Sequence, residues 1–205
     1  MTDVYATARP GLRSRLGSRL AARARARRHE RFRALTGAAP GLRILDVGCG
    51  ALGLRALEPD LDITGTDLAE RPGYPGPFVR ADATDRLPFD DDAFDLVYSS
   101  SVVEHIPPAH RARFAAEIRR VGRGWWVQTP AYSFPVEPHA LLPAAHWLPP
   151  ALRRPYWRLG VAGDWEDVRL LRRAEMAELF GDPIPERAGP LTKSWISVRR
   201  PAPRW

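Results

Sequence analysis

Apolar and polar positions along this chain change their period several times, and each change marks an element. Leu12, Leu16 and Leu20 are spaced by four, with Phe32 and Leu35 further on and arginines and alanines between, which predicts a helix over residues 12–35. Thr36-Gly37-Ala38-Ala39-Pro40-Gly41 stops it. Short apolar runs then take over. Strands are predicted at Arg43–Val47, Asp62–Asp67, Phe78–Ala81, Phe94–Ser99 and Gly124–Thr129. A glycine turn at Gly48–Gly53 leads into a brief helix ending near Glu58-Pro59, and Pro107-Pro108 opens a helix to about Arg120. A helix at Arg172–Phe180 and strands near Ile184–Arg187 and Ser194–Arg199 complete the pattern. Strands alternating with helices imply a mostly parallel sheet covered on both faces. Residues 130–165 break the rhythm with Pro130, Pro135, Pro138, Pro143, Pro149, Pro150 and Pro155. They read as a lid inserted over the strand ends, with short helices near Leu141–Leu148 and Leu152–Leu159.

Composition narrows the class. At 205 residues the chain suits one domain of ordinary size, residues 41–205, preceded by a basic helical arm over residues 1–40. No apolar run reaches the roughly 18–20 residues needed to span a bilayer. Met1–Ala8 lacks the basic and apolar parts of a secretory signal, so a cytoplasmic address is the expectation. Cys49 is the sole cysteine and has no partner for an internal disulfide. The formal charge of +7 is almost all arginine, since Lys193 is the single lysine, and it concentrates in Arg9–Arg33. That arm is either a solvated face or a means of attracting an anionic acceptor or a membrane surface.

The sharpest chemical signal is Ile44-Leu45-Asp46-Val47-Gly48-Cys49-Gly50. A buried strand delivers an acid and two glycines to the edge of the sheet where ligands of open α/β sheets bind. Glycines let backbone N–H groups approach a ligand that a side chain would block. A second acid, Asp67, ends the second strand 67 − 46 = 21 residues later, about the spacing at which an acid hydrogen-bonds both ribose hydroxyls.

These residues resemble the class I, Rossmann-like S-adenosylmethionine-dependent methyltransferases, and the resemblance runs in order over residues 43–129. Asp82 in Arg80-Ala81-Asp82-Ala83 matches the acid that accepts from the adenine amino group. Leu87–Val97 matches the stretch leading into strand four, and Val103-Glu104-His105-Ile106-Pro107 the segment opening the next helix. The resemblance implies an α/β/α sandwich with a mostly parallel seven-stranded sheet whose last strand is antiparallel. It also implies S-adenosylmethionine as cofactor, bound by Asp46, Gly48, Cys49, Gly50, Asp67, Leu68, Asp82, Ala83 and Ser99. One departure stands out: the third loop glycine of many relatives is Leu52 here, followed by Gly53. Either Gly53 takes over the open backbone position, or cofactor binding is weakened, at the limit leaving a cofactor-binding fold without catalysis.

The cofactor brings the reactive methyl, so the protein must align an acceptor and, for an oxygen acceptor, remove a proton. Glu104 and His105 follow strand four, and Glu137 and His139 follow strand five; these are the candidate catalytic residues. Glu104-His105 also resembles part of an acidic-acidic-His set of ubiquinone-biosynthesis O-methyltransferases that is linked to a divalent metal. Its first acid falls at Ser101 here, and Asp90-Asp91-Asp92 lacks coordination spacing, so no metal is expected. Tyr132, Phe134, Trp147 and Trp157 offer either flat walls for an apolar acceptor or a core for the lid itself. A small-molecule acceptor is the expectation. Strand four ends in Ser99-Ser100-Ser101 rather than the Asn/Asp-Pro-Pro-aromatic loop of amino-group DNA methyltransferases, which leaves RNA as the alternative polymer.

Overall fold

The computed structural model describes residues 28–161 and 167–201. Strand β1 (Arg43–Val47) pairs in parallel with β2 (Asp62–Asp67) on one side and β4 (Leu96–Ser100) on the other. β3 (Phe78–Arg80) extends the sheet beyond β2, and β5 (Trp125–Pro130) extends it beyond β4. β9 (Leu191–Arg199) runs antiparallel to β5, and β8 (Ile184–Ala188) closes that edge, giving the order β3-β2-β1-β4-β5-β9-β8. This is the expected seven-stranded sheet with its last strand reversed. Observed boundaries lie within two residues of most expected ones. Phe94 stands outside β4 and makes an isolated bridge to Gly122.

Alternation along the central strands divides the core in two. Leu45, Val97 and Val127 face helices α2 (Pro108–Val121) and α4 (Arg173–Phe180), where Phe114 meets Phe180 edge to face at 6.3 Å. Ile44, Leu96, Tyr98, Trp126 and Ile196 face the other way, toward Phe32. Phe32 lies on a helix over residues 28–36, here α1, and is fully buried, edge-on to Tyr98 at 5.2 Å and to Trp126 at 5.8 Å. Arg33 clamps this helix to Glu58 and Asp60, and Arg200 donates to Leu35 O at 2.8 Å.

Of the expected arm, residues 28–36 place Phe32 and Leu35 against one core of the sheet, and residues 1–27 lie outside the described residues. Two expectations need correction. The brief helix after the glycine turn is a series of turns over residues 51–57. Gly53, at φ +57°, interrupts helical geometry and leaves only bonds such as Glu58 N–H to Leu54 O at 2.9 Å. The lid helix expected near Leu141–Leu148 is instead a hairpin of β6 (Val136–Glu137) and β7 (Leu142–Pro143), followed by a single 3₁₀ turn at Ala145–Trp147. Leu141 and Ala144 hold left-handed φ of 53° and 55°, and Pro143 has no N–H to give a helix. The second lid helix exists as α3 (Pro150–Trp157), and Trp157 is buried with Ala140, Leu142 and Ala145 in a small core of the lid's own.

Because Phe32 is the main plug between α1 and the sheet, Phe32→Ala should destabilise the protein by about 3–5 kcal/mol. Removing residues 1–36 should abolish cooperative unfolding. Urea denaturation followed by circular dichroism checks both, and a truncated chain with a normal transition would show that α1 is dispensable.

Candidate active site

The glycine turn is held from beneath. Gly48 and Cys49 donate backbone N–H bonds to Thr66 O at 2.8 and 3.2 Å, which ties the turn to the end of β2. Gly48, Gly50 and Gly53 all have left-handed φ, between +57° and +73°. At Gly48 an added Cβ would meet Val102 at 2.3 Å, whereas at Gly50 it would meet nothing within 4 Å, so that stretch of backbone opens outward. Asp46 is 2% exposed and its Oδ2 accepts from Leu54 N–H at 2.6 Å. Burial pushes its carboxyl up to about 7, the Leu54 N–H pulls it down, and the charge of Asp67 adds to the rise.

Gly53 supplies the tight approach that Leu52 cannot. A Cβ at Gly53 would lie 2.4 Å from Asp46 Oδ2, while the Leu52 side chain is turned out and exposed. The glycine requirement has moved one residue along the chain. Tyr74, a residue the sequence reading did not single out, fills the space behind the turn. Its ring would be 2.5 Å from a Cβ at Gly65 and 2.9 Å from one at Gly53. Cys49 Sγ lies against the same face of Gly65, and burial raises its thiol pKa, so it packs rather than attacks.

Asp67 is buried at the end of β2. Its Oδ2 accepts from Gly50 N–H at 3.0 Å and pairs with Arg71 at 3.1 Å, and its Oδ1 accepts from Ala69 N–H at 3.1 Å. The acid is therefore aimed at the glycine turn, with one guanidinium across it. Leu68 beside it is exposed. Asp82 is exposed past β3 and its Oδ1 caps a turn, accepting from Thr84 N–H at 2.8 Å and Thr84 Oγ1 at 2.7 Å; Ala83 is half-buried in that turn.

The paired ends of β4 and β5 carry a polar cluster on each face. On the α1 side, Ser100 Oγ donates to Gln128 Oε1 at 2.7 Å and accepts from Arg28 at 3.2 Å. Ser101, at left-handed φ 59°, turns its hydroxyl to the same Gln128 oxygen at 3.3 Å. On the opposite side lies Ser99, buried and with no hydrogen bond at its hydroxyl.

That side also holds the expected catalytic residues, and the fold brings them together. Glu104 is fully buried in a 3₁₀ turn after β4, where Thr129 Oγ1 donates to its Oε2 at 2.9 Å. Its Oε1 has no hydrogen bond and stands 3.9 Å from His139 Nε2. His139, 4% exposed, sits in the turn of the β6–β7 hairpin, and its Nδ1 bonds to Glu137 Oε1 at 2.7 Å. Glu137 is fixed in turn by Ala140 N–H, which donates to its Oε2 at 2.6 Å. The His105 ring meets that of His139 edge to face at 4.9 Å. Glu137 thus holds the His139 ring at Nδ1, and Nε2 stands on the side of Glu104 Oε1.

The lid aromatics divide between roles. Trp157 belongs to the lid core, Tyr132 lies under Arg172 at 4.1 Å, and Trp147, 45% exposed, donates its indole N–H to Tyr132 O at 2.9 Å. Phe134 remains half-buried. No described helix is long and apolar enough to cross a membrane.

Comparison with known proteins agrees with this geometry. The methyltransferase-domain family matches residues 45–124. The chain is 38% identical over 98 residues to cycloartenol-C-24-methyltransferase 1 of Oryza sativa subsp. japonica, a match covering 40% of this chain and 28% of the rice enzyme. It is 40% identical over 96 residues to phthiotriol/phenolphthiotriol dimycocerosates methyltransferase 1 of Mycobacterium ulcerans, covering 40% of this chain and 34% of that protein. The chain thus spans about a third of the curated relatives it matches. Among solved structures, a Pyrococcus horikoshii protein shares the fold at TM-score 0.56 and 19% identity, over 78% of this chain and 82% of that one. A S-adenosylmethionine-dependent methyltransferase from Methanosarcina mazei does so at TM-score 0.51 and 14% identity, over 80% and 95%. In its sheet order, its glycine turn and the match over residues 45–124, the chain is similar to the class I, Rossmann-like S-adenosylmethionine-dependent methyltransferases.

Proposed function

We propose that this protein transfers a methyl group from S-adenosylmethionine to a hydroxyl of a small, largely apolar acceptor seated between the ends of β4 and β5 and the lid. The observation that carries the reading is the buried Glu104–His139–Glu137 chain at the working edge of a methyltransferase sheet. The names of the rice and mycobacterial relatives, which describe a sterol and a lipid methyltransferase, support an apolar acceptor.

The residues present fit the cofactor. Gly50 leaves open space at the turn, Asp67 stands at the end of β2 facing it, and Asp46 lies buried beneath. When bound, S-adenosylmethionine supplies an electrophilic methyl on a positive sulfur. Asp67 would exchange Arg71 for the ribose hydroxyls, and Asp82 would lie within the adenine end. The acceptor O–H gives its proton to an imidazole nitrogen of the His105–His139 pair, where Glu137 stabilises the resulting imidazolium through the Nδ1–H bond. With the cofactor bound, the acceptor oxygen would take the methyl carbon and the carbon–sulfur electron pair would remain on sulfur. The imidazolium later returns its proton to water. Burial of the cluster keeps bulk water from competing for the methyl.

Losing the ribose acid through Asp67→Ala should weaken S-adenosylhomocysteine binding by about 1.5–3 kcal/mol, the range for hydrogen bonds to a charged group. Unchanged affinity by calorimetry in a folded variant would remove Asp67 from the cofactor site.

Replacing the true base by alanine should slow turnover roughly 100- to 10,000-fold at near-normal cofactor affinity. His139→Ala and His105→Ala are compared on hydroxylated apolar acceptors, with turnover read as release of S-adenosylhomocysteine. Near-normal rates in both variants would leave orientation alone as the source of catalysis.

Asp46 carries a pH signature. Its folded value of about 7 stands above the ordinary 3.8, so its contribution to stability is complete below about pH 4 and is lost as pH rises through 7. The melting temperature of the cofactor-free protein should therefore fall between pH 5 and about 8 in wild type, and Asp46→Asn, which keeps an acceptor for Leu54 N–H, should flatten that slope. Equal slopes in the two proteins would show that Asp46 does not titrate there.

A further inference from the structure

We infer that Glu104, His105 and His139 together bind a divalent transition-metal ion of the zinc class. The inference deepens the reading above, because it concerns the same cluster. One ligand atom from each of the three residues lies within 4.8 Å of the others. A cation with bonds of roughly 2.0–2.2 Å to each would draw these atoms in to separations of about 3.3–3.6 Å.

Three features distinguish this group from a chance meeting of polar side chains. First, Glu104 is fully buried, yet Oε1 has no hydrogen bond. A buried carboxylate oxygen without a donor is costly, and His139 Nε2 at 3.9 Å is too far to be one. A cation bound at Oε1 satisfies that oxygen. Second, Glu137 holds His139 at Nδ1 at 2.7 Å and is itself held by Ala140 N–H at 2.6 Å. A carboxylate on the far nitrogen of a histidine is the arrangement that orients a metal-ligating imidazole and raises its basicity. Third, Thr129 occupies Glu104 Oε2 at 2.9 Å, so Oε1 is the oxygen presented to the histidines.

The donor set also selects the ion. Two imidazoles and one carboxylate suit zinc, cobalt or a similar borderline ion, whereas magnesium and calcium prefer oxygen ligands throughout. Three protein ligands leave a coordination position open. His105 is the half-buried member of the set. An acceptor hydroxyl bound there would release its proton to solvent near neutral pH, because the cation stabilises the oxygen anion. In the metal-loaded protein the histidines then act as ligands, and proton uptake by imidazole belongs to the metal-free form.

The expectation that no metal is present rested on Ser101. The fold turns that serine to Gln128 instead and brings in His139 from the lid, a residue 139 − 105 = 34 positions further along the chain.

The test uses tag-free, chelator-treated full-length protein titrated with Zn2+ by calorimetry and with Co2+ by visible absorption, with no acceptor present. We expect one ion per chain, a rise in melting temperature on addition of Zn2+, and cobalt d–d bands of a low-coordinate site. Glu104→Gln and His139→Ala should each weaken binding at least about 100-fold, and Glu137→Gln about 10- to 100-fold through loss of the outer hydrogen bond. His110→Ala removes an exposed histidine on α2 and should leave binding unchanged. Binding of S-adenosylhomocysteine, measured on the same variants, reports the fold and the methyltransferase reading separately. No saturable Zn2+ binding, or binding that survives both Glu104→Gln and His139→Ala in folded proteins, overturns the inference whatever the cofactor result.

Discussion

Register between β4 and β5 governs what this protein can do. Ser99 stands opposite Val127 and Ser100 opposite Gln128, so β5 runs on through Thr129 and Pro130 past the end of β4. Side chains alternate across a sheet, and a slip of one residue would exchange the two faces. As paired, Ser100 and Gln128 face the α1 side and join Arg28, while Thr129 faces the other side and takes hold of Glu104. The register is fixed by burial further down, where Tyr98 and Trp126 meet Phe32 on one face and Val97 and Val127 enter the opposite core. The fully buried Phe32 thus restrains a working edge with which it makes no chemical contact.

Much of this was legible in the sequence, and the limits have physical causes. Buried parallel strands read as continuous apolar runs, so β1, β2 and β5 stand out with little ambiguity. The acid–glycine turn was equally plain, because its chemistry is local in sequence. Pro143 and the alternation around it were compatible with either a short helix or a hairpin. What decides between them is the left-handed backbone at Leu141 and Ala144, and neither residue type announces that conformation. The attachment of α1, at the end of the arm, was hidden for a different reason. Its arginines dominate the composition, whereas its attachment depends on single side chains, Phe32 in the core and Arg33 on Glu58.

The glycine turn shows a constraint that moves with the chain instead of staying at a motif position. Tyr74 presses on both Gly53 and Gly65, and Asp46 Oδ2 approaches Gly53 from below. Any Cβ at residue 53 would collide with that carboxylate, but residue 52 points outward and tolerates leucine. Tyr74 itself sits in Gly73-Tyr74-Pro75-Gly76, which reads as an ordinary turn. Only the packed structure shows that the ring occupies space left by the two glycines. The same packing raises the pKa of the Tyr74 hydroxyl, by burial first and by the nearby Asp46 charge second.

The lid contributes side chains to the polar cluster at the sheet edge as well as covering it. Glu104 comes from the sheet edge, but His139 and Glu137 come from a hairpin that has its own small core around Trp157. The lid is attached to the main body through the Ala131–Leu171 bridge, with Tyr132 N–H donating to Leu171 O at 3.0 Å. Arg169 N–H donates to Glu104 O at 2.9 Å, so the segment returning from the lid also fixes the turn that carries the acid. Sheet, lid and return segment therefore meet at Glu104. A fully buried acid is an expensive choice for holding three segments together, since apolar side chains would do so without desolvating a carboxylate. Its presence at this junction is understandable when the carboxylate serves something beyond packing, and the histidines brought to within a few ångströms of it are the groups with which it can do so.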